Sequence, residues 1–198
     1  EVVFDAYRPH RGEIPDDVAC DAVVVTGSEF HVYDDREWLS SLSFYVRSAL
    51  KHEIPVLGIC FGHQVLADTL GGTVERREER EMGFREIECV EDSPLLEGVP
   101  DRFVSFTSHQ DHVESLPDES ELLARNDAGI QAFRSRIFPA YGIQFHPEYD
   151  LDMASTLLER KDLDDDQEQE IRSTLTEENM EAALGSRRVL DNFFTRIV

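Results

Sequence analysis

The chain has 198 residues, 40% of them hydrophobic, which suits one ordinary domain, residues 1–198, with a genuine core. Acidic residues outnumber basic ones by 42 to 19, and the resulting formal charge of −23 argues against nucleic acid or an anionic membrane as a partner. Three cysteines, Cys20, Cys60 and Cys89, are too few and scattered for a disulfide framework, so a cytoplasmic, reducing setting is expected. The apolar runs at 22–25 and 55–59 are far too short for a transmembrane helix. Lysine is confined to Lys51 and Lys161, and arginine supplies the other basic groups. That balance suits a protein adapted to high salt, where screening suppresses self-repulsion.

In chain order, Ala22-Val23-Val24-Val25 reads as a buried strand ending in the turn Thr26-Gly27-Ser28. From Arg36 to His52, the apolar positions Trp38, Leu39, Leu42, Tyr45, Val46, Ala49 and Leu50 form a helical stripe. Pro55 ends that segment, and residues 55–59 read as a second buried strand. Gly62 to Leu70 fits a helix stopped by Gly71-Gly72. Short strands follow at 84–90, 103–106, 121–124, 130–133 and 140–145, joined by turns. After Pro147 the pattern turns helical, with a solvated acidic stretch at 162–169 and a final amphipathic helix over 187–197. Apolar strands alternating with helices predict an α/β fold with a largely parallel central sheet, a small antiparallel subregion and C-terminal helices over 150–198.

Gly58-Ile59-Cys60-Phe61-Gly62 sits where the second strand meets the next helix. Glycines on both sides of Cys60 permit a sharp turn that lifts its side chain clear of the sheet. The helix N-terminus there favours thiolate over thiol, and the Phe61 N–H points to where an oxyanion would form. A cysteine packed between two glycines would give the same local pattern. Gln144-Phe145-His146-Pro147-Glu148 shifts the balance. Two residues apart on extended chain, His146 and Glu148 project to one side, so the carboxylate can orient an imidazole that faces Cys60. Cys20 and Cys89 lack such a turn and read as packing residues; His10, His31 and His52 read as surface residues.

Gly58-Ile-Cys-Phe-Gly-His-Gln64 with Phe145-His-Pro-Glu148 resembles the class I (triad-type) glutamine amidotransferases. Thr107-Ser-His-Gln-Asp-His-Val113 is similar to the family's Ser-His-x-Asp-x-Val segment, especially in the glutaminase part of GMP synthase. Val23-Val-Val-Thr-Gly-Ser28 is similar to its first active-site loop. The resemblance implies a flavodoxin-like three-layer sandwich whose first strand lies upstream of the region seen here. It implies Cys60 as nucleophile, His146 as base and then acid, and Glu148 as the histidine's partner. Backbone N–H groups of Gly27 and Phe61 would form the oxyanion hole, although many members have Gly-Gly-Pro where this chain has Thr26-Gly27-Ser28. Gln64 and a loop of Ser108, His109 and Gln110 would hold the substrate. No metal or cofactor is implied, and His63, His109 and His112 fall on motif positions rather than in a zinc-like spacing. The implied reaction is hydrolysis of the glutamine γ-carboxamide, with ammonia passing to a separate synthetase. A γ-glutamyl peptidase using the same residues, or a degenerate binding domain, are the competing readings.

Overall fold

A computed structural model describes residues 2–198. The buried stripe of Leu39, Leu42, Val46, Ala49 and Leu50 forms helix α1 (Glu37–Lys51), which ends before Pro55. The apolar runs become strands β1 (Val23–Val25) and β2 (Val56–Ile59), and α2 (Phe61–Leu70) closes on Gly71 at φ +99°. Strands β3 (Thr73–Cys89), β4 (Arg102–Ser115), β5 (Ser120–Asn126), β6 (Gly129–Ser135) and β7 (Ala140–Ile143) complete one mixed sheet of order β1-β2-β7-β6-β5-β3-β4. β1, β2 and β7 run parallel and the remaining pairings are antiparallel.

Helices cover both faces of the parallel part, which is the three-layer α/β arrangement. Val56, Phe133 and Ala140 pack against α1 and α2 on one side. Leu57, Ile59 and Ile143 pack on the other side against Val189 of α6 (Arg188–Asn192) and against Phe193. A third cluster joins Met82, Phe84 and Phe106 to α3 (Leu151–Leu158), α4 (Asp165–Thr174) and α5 (Glu177–Ala183). The acidic stretch opens α4 through a capping box between Asp164 and Gln167. The expected helix over 187–197 is instead a short α-helix followed by a π turn over Phe193–Ile197. No helix among the described residues is long and apolar enough to cross a membrane.

Two stretches differ from the sequence reading. The sequence reading places no strand at 73–83 and a loop at Ser108, His109 and Gln110; residues 73–83 and 107–115 are instead the paired halves of β3 and β4. Apart from Val74, Thr73 to Glu81 is polar on both faces, so it lacks the alternation that marks a half-buried strand, and its backbone ladder to β4 holds it instead. Between Arg76↔Asp111 and Glu81↔His109, the residues Arg77, Glu78, Glu79 and Arg80 stand opposite Gln110 alone. This bulge bends the arm. The sheet curls until β4 reaches the chain beyond β7, where the His146 N–H donates to Phe106 O at 2.7 Å.

Candidate active site

Cys60 is the single residue between β2 and α2, and its backbone takes φ 53° and ψ −105°. An L-residue is rarely found there, and such a conformation costs of order 1–3 kcal/mol, so the surroundings must enforce it. The two glycines explain how. A methyl on Gly62 would lie 1.9 Å from Val25 O, and one on Gly58 would lie 2.3 Å from Gly62 O. Only bare backbone allows strand and helix this close, and the Cys60 N–H donates to Ile143 O at 2.8 Å to tie the turn to β7.

The chain leaving β7 brings His146 to the same corner. Its Nδ1–H donates to Glu148 Oε1 at 2.7 Å, which leaves Nε2 as the free edge of the ring. Gly27, after β1, lies between this imidazole and the cysteine. A methyl placed there would be 2.9 Å from His146 Cε1, 3.6 Å from Cys60 Cβ and 3.7 Å from His146 Nε2. Burial by itself would push the imidazole down, but the Cys60 sulfur and then the Glu148 carboxylate overcome it and push His146 up to about 10. Tyr149 stacks on Phe106 and meets the His146 ring edge-on at 4.9 Å between centroids.

Phe61 opens α2, so its N–H has no acceptor within the helix. The Gly27 N–H is likewise unpaired among the described residues. Phe61 follows Cys60 directly in the chain, and Gly27 lies beside Cys60 and His146.

The expected substrate contacts divide. Gln64, one turn beyond Cys60, is buried and donates through Nε2 to Asp111 O (2.9 Å) and Gln144 Oε1 (3.1 Å). Its Oε1 accepts nothing within the described residues. The Ser108 carbonyl lies 3.9 Å from Cys60 Sγ. His109 and Gln110 belong to β4, not to a loop, and their side chains are hydrogen-bonded to residues of β3 and β4. His109 donates from Nδ1 to Asp111 O (2.9 Å) and from Nε2 to Glu81 Oε2 (2.7 Å). Burial would raise the Glu81 carboxyl, but the His109, Asn126 and Gln131 hydrogen bonds hold it below the usual range. Gln110 accepts from Arg76 at 2.8 Å and donates to Arg77 O at 3.1 Å, pinning the bulge of β3.

Asp111, unassigned by sequence, is central. Its buried carboxylate accepts from His31 Nδ1–H at 2.5 Å and from the Tyr33 hydroxyl at 2.9 Å, and these two rings stack. It thereby fastens the segment that carries Gly27 to β4. His31 is thus not a free surface residue; His10 and His52 are exposed. The acid's place in the motif at 107–113 was the only signal for this clamp. Cys20 is exposed rather than packed, and Cys89 is half-buried.

The family model described as "Glutamine amidotransferase class-I" matches residues 6–164. The chain belongs to this family. This amidotransferase is 44% identical over 101 residues to a subunit of the glutamine-hydrolyzing GMP synthase of Methanopyrus kandleri, covering 50% of this chain and 54% of that one. The corresponding GMP synthase subunit of Pyrococcus furiosus is 42% identical over 96 residues, covering 48% and 51%. The amidotransferase thus spans about half the length of the curated relatives it matches. A solved glutamine amidotransferase of Thermotoga maritima superposes with TM-score 0.78 at 26% identity, over 97% of this chain and 86% of that one. The fold is shared with a glutamine amidotransferase of Methylobacillus flagellatus, at TM-score 0.81 and 21% identity over 96% and 83%.

Proposed function

We propose that this chain hydrolyses the γ-carboxamide of glutamine through Cys60, His146 and Glu148. One observation carries the reading: a thiol at a strained strand-to-helix corner, faced across Gly27 by an imidazole that a carboxylate orients. The Cys60 thiolate attacks the γ-carbon, and the oxyanion is held by the N–H groups of Phe61 and Gly27. His146 passes its proton to the departing nitrogen, so ammonia leaves and a γ-glutamyl thioester remains. His146, now neutral, takes a proton from water, whose oxygen attacks the thioester; glutamate departs and the thiolate returns. Glu148 holds the ring in the required tautomer throughout.

Gln64 Nε2 is committed to Asp111 and Gln144, so only Oε1 can face substrate, an acceptor suited to the glutamine ammonium. His109 and Gln110 support β4 rather than touch substrate. The curated relatives are named as GMP synthase subunits, which supports delivery of the ammonia to a separate synthetase chain. Free glutamine and γ-glutamyl dipeptides, assayed at low and high salt, test the reading. Glutamine turnover that rises with a synthetase partner and disappears in Cys60→Ala is the expected result. Rapid dipeptide cleavage with no glutamine turnover would instead establish a γ-glutamyl peptidase, and near-normal turnover by Cys60→Ala would remove the nucleophile.

A further inference from the structure

Beneath the first turn of α2, the sheet face carries buried polar atoms that no protein group satisfies. Gln131 and Gln144 face one another across β6 and the end of β7, where the Gln144 N–H donates to Gln131 O at 2.8 Å. The paired residues one step away on the same face are Phe133 and Gly142, and His63 lies over them, its ring 5.1 Å from that of Phe133. His63, Gln131 and Gln144 are all fully buried. Neither nitrogen of His63 has a hydrogen-bond partner, nor do Gln131 Oε1 and Gln144 Nε2.

Their neighbours fix which atoms are orphaned. Gln131 Nε2 donates to Glu81 Oε2 (2.9 Å) and Asn126 Oδ1 (3.0 Å), so its amide cannot be reversed. Gln64 must donate to the Asp111 carbonyl, and so the atom of Gln144 that receives its other hydrogen is Oε1. The cluster therefore offers one amide donor, one amide acceptor and an imidazole. Burial pushes His63 down to about 3, against the pull of the Gly142 backbone and aided by the charge of His109, so its ring is neutral and has one nitrogen free to accept. Buried polar groups left unpaired cost about 1–3 kcal/mol each, and internal waters characteristically make about three hydrogen bonds to such groups.

We propose that His63, Gln131 and Gln144 bind one buried water molecule, and that this water holds the Gln144 amide with Oε1 toward Gln64, adding a second anchor to the one Gln64 makes on the Asp111 carbonyl. The water accepts from Gln144 Nε2 and donates to Gln131 Oε1 and to the imidazole. Gln144 then cannot turn over, and Gln64 keeps both of its Nε2 hydrogen bonds. His63, Gln131 and Gln144 are in this sense positioning residues, and the kinetic part of the proposal rests on the glutaminase reading above.

High-resolution diffraction from the wild-type chain tests the water without any assay of activity. A well-ordered water at about 2.7–3.2 Å from Gln144 Nε2 and Gln131 Oε1 is expected. Direct contacts among the three side chains, with no water, overturn the proposal. In Gln144→Met the water is expected to be lost and KM for glutamine to rise about tenfold, with kcat within about twofold. An unchanged KM in a variant shown to have lost the water overturns the orienting role. Should the wild-type chain turn over no glutamine, the glutaminase reading falls, while the density still decides the water site.

Discussion

Gly27→Ala tests the geometry of the corner most directly. The new methyl carbon would lie 2.9 Å from His146 Cε1, about 0.6–1 Å short of an optimal carbon–carbon separation. The imidazole cannot simply swing away. Its own backbone N–H is bonded to Phe106 O, its Nδ1 is held by Glu148, and Tyr149 lies against its edge. Overpacking of this kind costs about 1–3 kcal/mol of stability, which for a chain of this size lowers the melting temperature by roughly 2–12 °C without unfolding it at room temperature. Activity is expected to suffer far more. A catalytic group misplaced by about 1 Å costs on the order of 10²-fold, or about 2.7 kcal/mol of barrier. Glutamate release over a range of glutamine concentrations, measured beside a thermal melt and circular dichroism, separates the two effects. A folded Gly27→Ala chain that keeps more than about half of the wild-type kcat/KM would refute the proposed role of the corner where Gly27 lies between Cys60 and His146.

Cys60→Gly is expected to be more stable than Cys60→Ala by about 1 kcal/mol, because glycine accepts φ 53° and alanine does not; an alanine variant that melts higher would deny the strain at the elbow. His146 is raised above its usual value, so its contribution to stability is full below pH 6.5 and is lost as pH climbs through about 10. Melts should therefore fall over that window in wild type and fall less in Cys60→Ala, which removes the leading cause of the increase. His63 is depressed, so stability should also drop as pH falls from 6.5 toward about 3, and His63→Leu should flatten that limb. Asp111→Asn weakens the hold on His31 and Tyr33, and kcat/KM is expected to fall about tenfold, a factor equivalent to about 1.4 kcal/mol, with the loss in kcat rather than KM. An unchanged kcat would show that the Gly27 segment needs no such anchor. Because self-repulsion accompanies a charge of −23, the melting temperature should rise with sodium chloride, and a flat salt series would remove the case for salt adaptation.

The parallel core was legible from local pattern: short β-branched runs, the stripe of α1, and the glycine stops leave little choice of period or boundary. Gly58, Cys60 and Gly62 could likewise be paired in advance with His146 and Glu148, because each group's chemistry is carried by neighbours in the chain. Local pattern could not reveal the polar arm of β3, whose pairing with β4 depends on a partner strand rather than on its own alternation. For the same reason the hydrogen bonds from His109 to Glu81 and from Arg76 to Gln110, between partners close only in space, could not be read from the chain. The Asp111 clamp joins residues some 80 positions apart, and the His63 imidazole is pushed down to about 3 by burial that only the assembled sheet and helix provide. Sequence thus determined which groups could react. Folding alone decided which of them face the cysteine, since burial and hydrogen-bond partnership belong to the assembled sheet and not to any single stretch of it.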